Sequence, residues 1–396
     1  MVTRIGLIGC GNISDIYLLN AARFPGIAFT ACADLRPEAA AAKAGTYGIE
    51  ARSVEALLAS DDVDIVLNLT VPAAHAEISL AALESDKHVY SEKPLATSVA
   101  DGEAILAAAE ARGLRVGAAP DTVLGAAIQE ARRQIDAGVI GKPLLGVASV
   151  LSHGMENWHP DPTFFFKPGG GPVFDMGPYY LSTLVTLLGP VASVQASGQV
   201  GFETRTVTTA NSPMLGQAIR VEVLSTVQAL LEFDSGAQVT FLASWDVWKH
   251  GLRPLELHGT EGSMRVPDPN WFGGAVETAV ERGDWSSTAT DHRVFGAANW
   301  PLADPIHANY RGAGIAEMAQ AIEQGRPHRA NGAVALHVLA VMAGTLEAAG
   351  SGERVTIGPR CARPDALAET EALTLVGGTR AGMAAQSSLP FAEQDA

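Results

Sequence analysis

Arg4-Ile5-Gly6-Leu7-Ile8-Gly9-Cys10-Gly11-Asn12-Ile13-Ser14 runs from an uninterrupted apolar stretch into two glycines one residue apart. The stretch over 4–8 has no polar alternation, so it predicts a strand covered on both faces, as in a parallel sheet between helices. Gly9 permits a tight turn at the strand end, and Gly11 lets the backbone approach a bound group closely. A helix then opens at Ile13 and Ser14, and its unpaired amides would face an anion. Gly-x-Gly-x-x-Ser is weak by itself, because Ser14 stands where a third small glycine is usual. Its context strengthens it: a second apolar strand, over 28–33, ends on Asp34, twenty residues past Ser14. A carboxylate there accepts hydrogen bonds from a ribose diol and repels a 2′-phosphate. The pattern therefore predicts a dinucleotide site for NAD, with NADP kept open by Arg36. Gly9, Gly11, Asn12, Ile13, Asp34 and Arg36 are its candidate cofactor residues.

Outward from this motif, strands over 65–69, 88–91 and 115–118 alternate with helical stretches. The clearest helix, over 99–111, starts at Ser98 with Asp101 three residues on and stops at Gly113. Alternation of this kind predicts an α/β Rossmann domain with a parallel sheet over 1–120. After Pro120 the pattern changes. A helix over 123–137 and a strand over 144–151 lead into a loop rich in Pro, Gly and aromatics over 152–172. A helix over 173–188 follows, then strands over 192–200, 221–233, 237–245 and 255–258, with Asp234-Ser235-Gly236 as a hairpin turn. Successive strands joined by short turns predict an α+β domain with a largely antiparallel open sheet over 121–364. Helices over 313–323 and 333–349 end it, and residues 365–396 read as a mobile C-terminal tail.

Composition narrows the function classes. With 396 residues, two domains is the natural division, and 47% hydrophobic with 18% charged residues suits a globular enzyme. A net charge of -16 leaves no basic surplus to displace counterions, which argues against nucleic acid as a partner. The cysteines, Cys10, Cys32 and Cys361, make no Cys-x-x-Cys pair, which points to a reducing compartment. Cys10 and Cys32 read as small packing residues. The chain starts directly with a strand, and no apolar run approaches bilayer-spanning length, so the expectation is a cytoplasmic protein with no membrane partner.

Two loops follow strand ends, where open α/β sheets place ligands. One is Thr70-Val71-Pro72-Ala73-Ala74-His75; the other is Ser91-Glu92-Lys93-Pro94. A lysine at a strand end is not needed for packing, although surface Glu-Lys pairs are common. Taken together, Gly9–Ser14, Asp34, Thr70-Val71-Pro72-x-x-His75, Lys87-His88-Val89 and Glu92-Lys93-Pro94 resemble the glucose–fructose oxidoreductase / inositol dehydrogenase (Gfo/Idh/MocA) family. So does the second-domain run Gly169-Gly170-Gly171-Pro172-Val173-Phe174-Asp175-Met176-Gly177, with Leu187-Leu188-Gly189 after it. The likeness covers roughly residues 3–360. It implies a bidomain dehydrogenase for a sugar, polyol or similar secondary alcohol, assembling as a homodimer or homotetramer. It also implies cofactor roles for Thr70, Pro72, His75, Glu92 and Lys93.

One departure stands out. The family's Asp-x-x-x-His signature is here Asp175-x-x-x-Tyr179, and a further Asp common three residues on is Ser182. Helical i, i+4 spacing would put Asp175 and Tyr179 on one face. A phenol needs adjacent positive charge to accept a proton near neutrality. Lys93, with a bound nicotinamide ring, would supply that charge, making Lys93, Tyr179 and Asp175 the candidate catalytic set. Lys93, Asp121, Trp158, His159, Asp175 and Tyr179 are the candidate substrate residues. Alternatively, Tyr179 and Tyr180 form a packing pair. His153 and His159 lack zinc-site spacing, so no metal is expected. Trp245, Asp246 and Trp248, and Asn309-Tyr310-Arg311, fit packing as readily as substrate contact. His258, His328 and His337 read as structural. The competing functions are an NAD-dependent glycoside hydrolase working by transient oxidation and elimination, and a non-catalytic nucleotide or sugar sensor.

Overall fold

The structure is a computed structural model that describes residues 2–378. Six parallel strands form the first sheet: β1 (Thr3–Ile8), β2 (Ile27–Ala33), β3 (Glu50–Arg52), β4 (Ile65–Asn68), β5 (His88–Ser91) and β6 (Val116–Ala118). Their order is β3-β2-β1-β4-β5-β6, so the topology reverses between β1 and β4 and opens a crevice at their C-terminal ends. The crossover helices are α1 (Ile13–Ala21), α2 (Pro37–Tyr47), α3 (Val54–Leu58), α4 (His75–Glu84) and α5 (Val99–Arg112). The ends of α5 follow local chemistry. Ser98 Oγ accepts from the Asp101 amide at 3.1 Å, and Gly113 closes the helix at φ +65°.

The second domain opens with a 3₁₀ turn, Asp121–Leu124, and α6 (Ala126–Asp136). Its strands are β7 (Pro143–Leu151), β8 (Val191–Gln199), β9 (Thr204–Thr206), β10 (Ala218–Arg220), β11 (Thr226–Phe233), β12 (Gln238–Ser244), β13 (Leu255–Gly259), β14 (Gly262–Val266), β15 (Val276–Val280), β16 (Ser286–Thr288) and β17 (Val355–Thr356). Nine of them form one sheet in the order β16-β15-β14-β13-β7-β12-β11-β8-β17, antiparallel except where β12 pairs with β7; β9 and β10 make a separate ribbon. The hairpin between β11 and β12 turns through Gly236 at φ +85°. Along β11, Val227, Ala229, Leu231 and Phe233 are buried while Gln228 and Leu230 face outward, so one side of this sheet is core and the other is open.

Several boundaries differ from the sequence reading, each for a physical reason. The helix expected over 173–188 is two helices, α7 (Gly171–Asp175) and α8 (Gly177–Leu188), meeting at Met176. Pro178 has no amide to bond back to Phe174, so the ladder breaks there. The strand expected from 221 starts at Thr226. Residues far beyond 120 return to the first sheet. Residues of α9 (Ala313–Glu323), such as Ile315 and Met318, share a core with Ile5 and Leu7 of β1, and the Ala118 amide donates to the Ala330 carbonyl at 3.1 Å. The tail is ordered further than expected: α11 (Glu369–Leu375) lies after α10 (Gly332–Ser351) and buries Leu375 in that same core. The rest of the expected tail, 379–396, lies outside the described residues. Against the sequence expectation, α10 at 20 residues is long and apolar enough to cross a bilayer by length and composition. Here 67% of its most apolar stretch is buried, and the helix packs on β8 and α8.

Candidate active site

At the crevice between β1 and β4 the backbone requires glycine. Gly9 has φ +103°, and a Cβ there would lie 2.5 Å from the Leu69 carbonyl carbon and oxygen. Gly11 is the opposite case: a Cβ would meet nothing within 4 Å, and would instead fill the open approach to the start of α1. Asn12 and Ile13 are exposed beside it, whereas Ser14 is buried with its hydroxyl on the Gly11 carbonyl at 2.6 Å. The serine thus ties down the turn that a third glycine would only fit beneath. Asp34 accepts from the Cys10 amide at 2.8 Å and the Arg36 amide at 2.9 Å. The exposed Arg36 guanidinium leans on the same carboxylate at 3.7 Å. A cavity of about 460 Å³ opens between these groups, lined by Gly9, Gly11, Asp34, Arg36, Thr70 and Val71 among others. Such a cradle fits a dinucleotide, with Gly11 and the α1 terminus toward the pyrophosphate and Asp34 toward a ribose. Leu35, 95% exposed on the cavity rim, was missed because an apolar residue beside Asp34 gives no polar signal.

Three predicted cofactor residues sit elsewhere than expected. His75 is buried, with Nδ1 2.7 Å from the Pro94 carbonyl and Nε2 3.0 Å from the Thr70 carbonyl. It braces the two strand-end loops against each other and does not reach the cavity, and burial pushes its pKa down. Pro72 starts a short 3₁₀ turn, Pro72–Ala74, while its neighbours Val71 and Ala74 line the cavity. Glu92 is buried and accepts from Tyr17 of α1 at 2.9 Å and from the Lys93 amide at 2.8 Å, which fixes the loop after β5 to α1. Thr70 does line the cavity, its hydroxyl set by Asn68 Oδ1 at 2.7 Å.

Lys93 leaves the end of β5 and reaches the second domain. Its Nζ donates to Asp175 Oδ1 at 2.7 Å and to the Asp175 carbonyl at 2.8 Å, and lies 5.3 Å from the Tyr179 ring centroid. Asp175 closes α7 and Tyr179 lies on the first turn of α8, so the break at Met176, not one continuous helix face, brings them together. Burial alone would favour the neutral amine. Asp175, with Tyr179 and Glu92, outweighs it and holds the ammonium above the ordinary lysine range.

Arg311 is the member that sequence reasoning left undecided. It is buried, and its Nη2 donates to the Tyr179 hydroxyl at 3.3 Å and to Asn270 Oδ1 at 2.8 Å. Nη1 donates to Asn309 Oδ1 at 2.8 Å. No local motif marks an arginine 132 positions from its partner. Asp121, expected to contact substrate, is only 1% exposed and instead accepts from the Gly312 and Gly314 amides at 2.9 and 3.0 Å. Burial pushes its carboxyl up to about 6, and those amides with Arg311 work against the rise. It anchors the turn that presents Arg311. Tyr180 packs against Phe241 and donates to Asp268 at 3.4 Å.

Trp158 is 60% exposed, and His159 is half-buried against Phe165 with Nδ1 accepting from the Asp161 amide at 3.1 Å. Among the described residues no hydrogen bond or ring contact joins either one to Lys93, Asp175 or Tyr179. The neighbouring His153 stacks on Trp248 and packs beside Arg205, which pairs with Glu156 at 2.8 Å and Asp246 at 2.5 Å. Trp245 is core, 1% exposed between Phe165 and Phe166.

A glycine cradle at the switch point of a doubly wound sheet, together with an ammonium that crosses from that sheet into an α+β domain, defines a bidomain nicotinamide-dependent oxidoreductase. The chain belongs to the GFO/IDH/MocA oxidoreductase family: residues 3–119 match its NAD-binding Rossmann domain and residues 128–265 its C-terminal domain. It is 29% identical over 363 residues to a 1,5-anhydro-D-fructose reductase of Ensifer adhaerens, covering 90% of this chain and 99% of that one. It is 31% identical over 301 residues to inositol 2-dehydrogenase 3 of Saccharopolyspora erythraea, covering 74% and 82%. The fold matches levoglucosan dehydrogenase in complex with NADH and levoglucosan, with a TM-score of 0.75, 23% identity, and coverage of 90% and 100%. The protein is a dehydrogenase or reductase acting on CH–OH groups.

Proposed function

We propose that this enzyme interconverts a secondary alcohol of a sugar or cyclitol and its ketone or lactone, with Tyr179 as proton acceptor and donor. NAD, when bound in the cradle, supplies the hydride acceptor. Lys93, kept as an ammonium by Asp175, donates a hydrogen bond to the substrate oxygen and holds it beside Tyr179. In the oxidative direction the hydroxyl proton passes to the Tyr179 oxygen while hydride leaves the same carbon. The carrying observation is the convergence of Lys93, Asp175 and Tyr179 from two domains at 2.7 and 5.3 Å. A sensor would have no use for a proton relay, which disfavours that alternative. A hydrolase acting by transient oxidation would release no net NADH.

A panel of sugars and polyols followed at the NADH absorbance, with NAD and NADP compared, tests substrate class and cofactor together. Asp34 supports the reading of NAD, and a preference for NADP would show that Arg36 prevails. Tyr179→Phe is expected to lower kcat by about 10²-fold or more with NAD binding retained; normal turnover would remove Tyr179 from the chemistry. The open face of the large sheet, where Leu145 and Leu230 are 52% and 38% exposed, suits a homodimer or homotetramer contact. Sedimentation at micromolar concentration should give a dimer or tetramer, and a monomer would count against that face. The three free cysteines accord with a cytoplasmic setting, which fractionation of the source cells would check.

A further inference from the structure

We infer that Arg311, more than Lys93, is the positive charge that makes Tyr179 a proton acceptor. The inference rests on the proton relay proposed above and assigns that relay a further residue. Two cations flank the Tyr179 ring: Lys93 Nζ at 5.3 Å and the Arg311 guanidinium carbon at 5.8 Å from its centroid. They differ in what already occupies them. Among the described residues, the hydrogen bonds of the Lys93 ammonium go to Asp175, so its charge is partly compensated at that point. The hydrogen bonds of Arg311 go to Asn309, Asn270 and the Tyr179 hydroxyl, all neutral groups. Of the two, only Arg311 donates directly to the phenol oxygen.

The other charged and titratable groups round this pair are committed elsewhere. Glu92 accepts from Tyr17 and the Lys93 amide, Asp121 from the Gly312 and Gly314 amides, and Asp268 from Tyr180 and the Asn270 amide. His307 stacks on Trp271. Arg311 is also held in place: its carbonyl accepts from Asn20 Nδ2 at 3.0 Å, and Trp271 lies 5.9 Å from its guanidinium. A fixed donor aimed at an oxygen that carries negative charge favours the ionised form, and more so away from water. The labour is then divided. Lys93 with Asp175 orients the substrate oxygen, and Arg311 stabilises the phenolate that receives its proton.

The test compares pH profiles of kcat at saturating NAD for the parent enzyme, Arg311→Met and Arg311→Lys. Tyrosinate ultraviolet titrations of the cofactor-free proteins, read as differences against Tyr179→Phe, accompany them. Arg311→Met should lower kcat at neutral pH by about 10²-fold with KM nearly unchanged. Its acid limb should move to higher pH by about one unit or more, together with the tyrosinate difference signal. Arg311→Lys should recover part of both. An unmoved limb, an unmoved difference signal, or a raised KM at normal kcat would overturn the assignment. Should Arg311→Met fail to fold, Asn270→Ala loosens the guanidinium without removing its charge. The same limb should then move in the same direction by less, and no movement overturns the inference. Normal turnover by Tyr179→Phe would instead sink the relay on which the inference rests, so the two failures are distinguishable.

Discussion

Lys93→Met should lower kcat by about 10³- to 10⁴-fold while NAD binding survives, because the lysine serves the substrate side of the site. Two effects add. The substrate oxygen loses its ammonium donor, and Asp175 keeps a half-buried carboxylate whose ion-pair partner, 2.7 Å away, is gone. Since Asp175 holds Lys93 charged above the ordinary lysine range, the parent enzyme has its ammonium throughout the neutral and mildly alkaline range. The ratio of parent to variant kcat should therefore stay flat across that range; a base lost with Lys93 would give a ratio that varies with pH. Steady-state kinetics over the pH range and NAD titration by protein fluorescence read the two quantities separately. Turnover within tenfold of the parent would end any role for the lysine in the chemistry.

Arg205→Ala is expected to be the most destabilising single change outside the cleft. Arg205, at 3% exposure, is shared between Glu156 at 2.8 Å and Asp246 at 2.5 Å, and it also donates to the Trp245 carbonyl at 2.6 Å. Its guanidinium carbon lies 4.4 Å from the Phe202 ring centroid. Removing one partner of a buried ion pair costs about 3–5 kcal/mol, and here two carboxylates would be stranded together. For a domain of this size that is a fall in Tm of roughly 6–20 °C. Calorimetry of the parent and of Arg205→Ala would measure it. A shift under about 3 °C would mean that water replaces the guanidinium at little cost. The network joins β9, the end of β12 and the loop after β7, so its loss should also loosen that loop ahead of Gly169–Gly171.

The two sites were unequally legible before the fold was known. The cofactor cradle is local: Gly9, Gly11 and Asp34 lie on consecutive strand ends, and their meaning follows from backbone freedom and one carboxylate at a fixed distance along the chain. His75 lies in an equally visible motif, yet its role as a buried brace depends on two carbonyls, those of Thr70 and Pro94, that no spacing rule brings to it. Asp121 shows the same limit. Its position after the last parallel strand points to the cleft, but its carboxylate is taken by amides 191 and 193 residues away.

Composition, apolar periodicity and turn chemistry were enough to specify a doubly wound parallel sheet, a following largely antiparallel domain and the glycine turn after the first strand, because those features arise from neighbours along the chain. The partner of Tyr179, the break at Met176 that aligns it with Asp175, and the return of α9 and α11 onto the first domain were not visible there. Each depends on long-range packing, in which burial selects among many locally acceptable arrangements and the chain alone does not say which distant side chain arrives.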